Sequence, residues 1–314
     1  MTRAKGTKTP HTLAVRPLRT LFVLAVLASA LVARPAAAAD YEAQIIGGTV
    51  ASAGTWPGVV LVEGDEGICT GTLIADEWVL TAAHCISRRA TIHGGSTSFR
   101  SFTWSAPARG TAHPAYDDDG FAYDIGLYQL DEAAPATLGR MAIADPTSDV
   151  ALYAAGQTLT AVGWGIDETG RISPDLRQAT LDVFDPSFCE RVTEPGLFDR
   201  NTMICMNHPQ HFTCSGDSGG PIVATRGGRR VVVGVTSFGS QNCDFISVAA
   251  GQATLLSWVR RMALGAPLPT ERIAGVDRFS TATALADAWR SAGTVYVTTG
   301  RNFPDALAAG PVAT

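Results

Sequence analysis

Apolar positions follow three different rhythms along the chain. Residues 21–32 (LFVLAVLASALV) form an unbroken run of apolar or small residues. Between about 45 and 250 the apolar residues come in short runs bounded by Gly, Pro, Asp and Ser, for example at 59–62, 78–81, 125–130, 159–162 and 231–235. Runs of this length, several rich in β-branched residues, predict an all-β domain, a sandwich or a barrel. At 252–263 (QATLLSWVRRMA) the spacing changes. Leu255, Leu256, Val259 and Met262 recur at helical intervals, with Arg260 and Arg261 toward the end that favours cations. A closing helix is expected there, followed by a Gly/Pro linker over 265–270. From 271 the pattern becomes α/β: helix over 281–290, strand over 295–298, and the start of a second helix at 305. The remaining 44 residues are fewer than a domain commonly needs to fold alone, so an incomplete unit is expected.

The first rhythm has the layout of an export signal. A basic, polar head precedes the apolar run, and Ala37 and Ala39 supply a small-residue cleavage pattern, so cleavage is expected after Ala39. Twelve helical residues cover about 18 Å, too short for a bilayer core of about 30 Å. No later stretch is long and apolar enough to span a membrane, and residues 40–44 are left as a very short pro-segment.

Charge sharpens this division. Six of the chain's 24 basic residues, and none of its 29 acidic ones, lie within 1–39, so the formal charge of −5 would become −11 after processing. An acidic product is a poor general binder of nucleic acid. At 46% apolar and 17% charged, the chain is an ordinary globular one rather than a disordered one. All six cysteines (Cys69, Cys85, Cys189, Cys205, Cys214 and Cys243) follow the leader. In an exported chain an even set favours disulfides, and no zinc-ligand spacing is present. Six cysteines allow fifteen connectivities.

The candidate chemistry lies in 214–221 (CSGDSGGP). Serine is a weak nucleophile until a base takes its proton and donors hold the developing oxyanion. Gly219 and Gly220 clear side chains from the place where a substrate would lie beside Ser218. A base is offered by His84 in TAAHC (81–85), after a strand-like run. Asp124 opens the apolar strand of DIGL (124–127) and is preferred over Asp117, Asp118 and Asp119, which read as a solvated loop.

Together with IIGG (45–48) and GWG (163–165), these pieces resemble the trypsin/chymotrypsin family of serine endopeptidases, in that family's order and over about 220 residues. The resemblance implies two six-stranded antiparallel β-barrels with a C-terminal helix, over 45–264, and a site between the barrels. It implies that His84 takes the proton of Ser218, that Asp124 holds the imidazole, and that the N–H groups of Gly216 and Ser218 form the oxyanion hole. It pairs Cys69 with Cys85, Cys189 with Cys205, and Cys214 with Cys243. It also implies a zymogen in which a freed Ile45 ammonium pairs with Asp217. Gln44 precedes that bond, so a tryptic activator is not expected.

Around the specificity pocket the chain departs from trypsin-like members. Phe212, followed by Thr213, stands where those members carry an aspartate, and Ser237 and Gly239 match the pocket-edge strand. A shallow, apolar pocket is expected, favouring small or medium uncharged residues; Asp244, if turned inward, would restore a preference for Arg or Lys. No metal and no cofactor is expected, since 91–107 contains no acid to hold calcium. Residues 272–286 and 300–310 resemble part of a cell-wall-binding repeat, which implies anionic wall polymers as partners beside protein substrates. The expected product is a monomeric, secreted protease. The alternatives are a wall-adhesion protein with an inactive protease-like domain, or an esterase or amidase acting on small substrates.

Overall fold

The computed structural model describes residues 45–265, apart from 66 and 168. The expected leader, the pro-segment and the α/β tail lie outside the described residues. A two-residue strand, β1 (Thr49–Val50), comes first. Six strands then close an antiparallel barrel: β2 (Val59–Gly64), β3 (Gly67–Ala75), β4 (Trp78–Thr81), β5 (Arg89–Gly94), β6 (Trp104–Ala112) and β7 (Gly126–Leu130), in the order β2-β3-β4-β7-β6-β5.

The second half contributes β8 (Ala142–Ile143), β9 (Thr158–Gly163), β10 (Arg177–Val183), β11 (Met203–Asn207), β12 (Pro221–Arg226), β13 (Arg229–Gly239) and β14 (Ser247–Gly251). The ring β9-β10-β11-β14-β13-β12 returns to β9 through the β9–β10 pairing, which closes a second antiparallel barrel. Two short strands are added to it: β1 extends the sheet from β10, and β8 runs parallel to β13. Closure leaves neither six-stranded ring with a free edge.

Burial explains why some strands alternate in sequence and others do not. In β10, Arg177, Ala179, Leu181 and Val183 are buried and the residues between them are more exposed, the period of two expected of a half-buried strand. The run 59–62 has no polar position because both of its faces are covered. Val60 and Val62 join the apolar interior of the first barrel, whereas Val59 and Leu61 join a larger core that continues into the second.

Helix α1 (Pro186–Val192) starts at Asp185, whose carboxylate accepts the Ser187 N–H, and Pro186 fills a first-turn position where no N–H is needed. Helix α2 (Gln252–Leu264) closes the domain and ends at Gly265 in the left-handed conformation. Its buried face is Leu255, Leu256, Trp258 and Val259. Met262, expected on that face, is 45% exposed, and Leu264 is 42% exposed, so the last turn has run past the surface that covers the earlier ones.

Candidate active site

Strand β4 delivers the chain into a short 3-10 turn, Ala83–Cys85, that carries His84. Strand β7 pairs with β4, Thr81 opposite Gly126, which brings Asp124 alongside that turn. Asp124 is fully buried and accepts three hydrogen bonds. Its Oδ1 takes the His84 backbone N–H at 2.9 Å; its Oδ2 lies 2.8 Å from His84 Nδ1 and takes the Ser237 hydroxyl at 2.6 Å. The carboxylate therefore fixes the histidine at two points, and with Nδ1–H donating, Nε2 is left as the basic nitrogen.

The turn that carries Ser218 is seated by backbone packing against β3, β13 and the residues leading to His84. The Thr70 N–H donates to the Ser218 carbonyl at 2.8 Å, and the Gly219 N–H donates to Thr236 O at 2.8 Å. Gly219 has φ +75°, and a Cβ there would stand 1.9 Å from Thr81 Oγ1 and 2.8 Å from the Ala82 nitrogen. Only glycine lets the serine turn lie against the residues leading to His84. No hydrogen bond joins Ser218 Oγ to His84 among the described residues. The N–H groups of Gly216 and Ser218 likewise have no acceptor among them, so both donors are uncommitted in the turn.

Three disulfides brace these segments: Cys69–Cys85, Cys189–Cys205 and Cys214–Cys243, with Cα separations of 6.2, 5.8 and 5.3 Å. The first ties β3 to the residue after His84, and the third ties the serine turn to the loop after β13. Asp217 is completely buried and accepts the N–H groups of Gly165 and Cys214 at 2.8 and 2.9 Å. Burial pushes its carboxyl up to about 7, opposed by those two bonds and by the charge of Arg177. Ile45 is buried, and the next carbonyl, Ile46 O, accepts the Phe212 N–H at 3.0 Å.

Phe212, Thr213 and Ser237 are buried, and Gly239 is half-buried, where a Cβ would stand 2.6 Å from Ile246 O. Asp244 is exposed, and its carboxylate accepts the Ser240 hydroxyl at 3.0 Å. Asp117, Asp118 and Asp119 are exposed, as expected of a solvated loop.

One aromatic neighbour of the site, Phe121, has no signal in the sequence. Phe121 stands edge-on to the His84 ring, centroids 5.9 Å apart, and 5.3 Å from Phe238. Phe121 and Tyr123 both hold positive φ, at +55° and +58°, directly ahead of Asp124. Bulky residues rarely accept that conformation, and nothing in their local sequence signals it.

Two closed β-barrels, with a buried carboxylate–histidine pair packed against a glycine-flanked serine turn, define a serine hydrolase of the double-barrel class. Comparison with known proteins narrows this. The trypsin family profile matches residues 45–259, and a profile described as cell wall binding domain 2 matches residues 272–314. Chymotrypsin-like elastase family member 1 of Homo sapiens is 30% identical over 243 residues, covering 71% of this chain and 93% of the relative. The Canis lupus familiaris protein of that name is 31% identical over 215 residues, covering 63% and 83%. Granzyme M of Rattus norvegicus is 29% identical over 239 residues, covering 71% and 90%. The chain belongs to the trypsin family and is a serine endopeptidase, and the segment after the protease domain matches the cell wall binding domain profile.

Proposed function

We propose that the protein is a secreted, wall-attached endopeptidase in which Ser218 is the nucleophile, His84 the general base and Asp124 its orienting carboxylate. The observation that carries this reading is the set of three donors on buried Asp124, with the Gly219 turn seated against Thr81 and Ala82. His84 takes the Ser218 proton as Oγ attacks the scissile carbonyl, and the developing oxyanion is held by the N–H groups of Gly216 and Ser218. His84 then returns the proton to the leaving amine. Water, deprotonated by the same base, releases the acyl group and restores Ser218.

The buried Phe212 and Thr213 offer no charge to a substrate side chain, and the relatives named as elastases are in line with an apolar preference. The acyl side of the cut should therefore carry a small or medium uncharged residue. Activation follows cleavage before Ile45. The new ammonium would neutralise Asp217, a carboxyl that burial otherwise drives toward its protonated form. The three disulfides support an oxidising compartment, and the wall-binding segment supports attachment.

Labelling with a fluorophosphonate tests the catalytic assignment. The protein beginning at Ile45 should be modified at Ser218, and Ser218→Ala should not react. Failure of the wild-type protein to label would support an inert, adhesive role. Labelling with turnover of small esters but none of casein would support an esterase. Adding one residue before Ile45 should remove most activity, and full activity of a form beginning at Asp40 would refute the activation switch.

A further inference from the structure

We propose that Thr70 is a positioning residue that holds the oxyanion-binding turn in its working conformation. The assignment rests on the protease reading above and extends it to a residue in the other barrel. Thr70 lies in β3, next to disulfide-bonded Cys69, and is completely buried. Every polar group it possesses is spent on the site. Its hydroxyl donates to Gly216 O at 2.9 Å and accepts the Trp164 N–H at 3.2 Å. Its backbone N–H donates to Ser218 O, and its carbonyl accepts the Thr81 hydroxyl at 2.9 Å, three residues before His84.

One side chain thus spans the serine turn and the segment at Trp164, while its backbone reaches Ser218 and the approach to the histidine. The hydroxyl matters most because of where it acts. Gly216 has φ +96° and no side chain, so the orientation of its carbonyl depends on the hydrogen bonds made to it. The bond from Thr70 Oγ1 fixes the Gly216 carbonyl. On the far side of the same peptide, the Asp217 N–H is held by Cys214 O at 3.0 Å. The preceding plane, which carries the Gly216 N–H itself, is anchored by the Ile166 N–H on Ser215 O at 2.8 Å, so both planes that meet at Gly216 are held. Such preorganisation is what a donor needs if it is to stabilise charge without reorganising during the reaction.

The space around the hydroxyl is closed as well. A Cβ at Gly163 would lie 3.1 Å from Thr70 Oγ1, and one at Gly220 would lie 3.2 Å from Thr70 Cβ. A threonine in a buried strand would ordinarily be taken for packing. Here its hydroxyl joins the buried Trp164 N–H to the carbonyl of half-buried Gly216, two backbone groups with no other partner among the described residues.

The test uses the cleaved protein with Thr70→Val, which preserves shape and removes the hydroxyl, and Thr70→Ser, which keeps it. On a peptide anilide, Thr70→Val should lower kcat about tenfold to a hundredfold with KM changed less than threefold, as expected for partial loss of one oxyanion donor. Affinity for a peptide aldehyde, whose adduct carries the oxyanion, should fall in parallel, and Thr70→Ser should recover wild-type kcat within threefold. Should Thr70→Val fail to fold by thermal melting, Thr70→Ala, judged by the same split, replaces it. A kcat within threefold of wild type, a loss confined to KM, or no recovery by serine would overturn the assignment to Thr70 alone. A wild-type protein that neither labels at Ser218 nor cleaves peptides would overturn the protease reading and this inference with it.

Discussion

Asp217 makes the pH dependence of folding a direct probe of the buried site. While Ile45 remains in peptide linkage, the Asp217 carboxylate has two backbone N–H partners among the described residues, and its pKa is pushed up to about 7, chiefly by burial. In the unfolded chain the same group titrates near 4. Between these values the folded state retains a proton that the unfolded state has released, so stability is lost as pH rises through the window. Three pKa units at about 1.4 kcal/mol each give an upper limit of about 4 kcal/mol, of which about 3 falls between pH 5 and pH 8. Urea unfolding of the uncleaved Ser218→Ala protein at the two pH values reads this difference as a shift in midpoint. Asp217→Asn should flatten the profile, because the amide carries no titrating proton. The protein beginning at Ile45 should lose the decline too, since its ammonium favours the ionised carboxylate. An uncleaved protein whose pH profile matches that of Asp217→Asn would refute the reasoning.

Asp124→Asn replaces one of the two accepting oxygens with an NH2 group and disturbs the His84 tautomer, so kcat should fall about 10⁴-fold; steady-state rates within tenfold of wild type would count against the pair. Gly219→Ala brings a methyl group onto Thr81 and Ala82 in a backbone conformation that disfavours it; soluble yield or kcat should collapse, whereas Gly54→Ala, whose Cβ meets nothing within 4 Å, should lose far less activity. Removing Cys189–Cys205 as a double alanine variant frees a loop of sequence separation 16 and should cost about 3 kcal/mol, read as a lower melting temperature with kcat retained. Asp244→Asn should leave the preference at the cleaved residue unchanged in a peptide panel, since that carboxylate is exposed and bound to Ser240; gain or loss of cleavage after Arg or Lys would contradict this.

Much of the fold was legible in the chain because turn residues bound its strands so regularly. The β-branched runs at 59–62 and 231–235 fall within β2 and β13, and the apolar spacing at 252–263 falls within α2. Closure into two rings was not legible from those runs; it came from the family resemblance, since strand order depends on pairings between distant residues. The accessory strands β1 and β8 have two residues each, too few to carry a period. Met262 shows that a helical stripe marks which side of a helix is apolar, not where its partner surface ends.

At the site, Ser218 and His84 stand inside distinctive strings, and Asp124 could be chosen from four nearby acids because it opens an apolar strand. Thr70, Ser237 and Phe121 behaved differently. The string around Ser237 points to the pocket edge and gives no sign that its hydroxyl bonds Asp124. Thr70 reads as an ordinary strand residue, and its role depends on groups 94 and 146 positions away. Such partners have no local signature.

Helix α2 packs against β3 and β7 of one barrel and against β13 and β14 of the other. It is also the last described element before the segment that matches a wall-binding domain. If that segment holds the protein to a surface, any pull on the enzyme enters through α2 and is shared between both barrels, rather than tearing at one. The resistance of the tether is then set by Leu255, Leu256, Trp258 and Val259. The load would meet the exposed turn of Met262 and Leu264 first and the buried face after it.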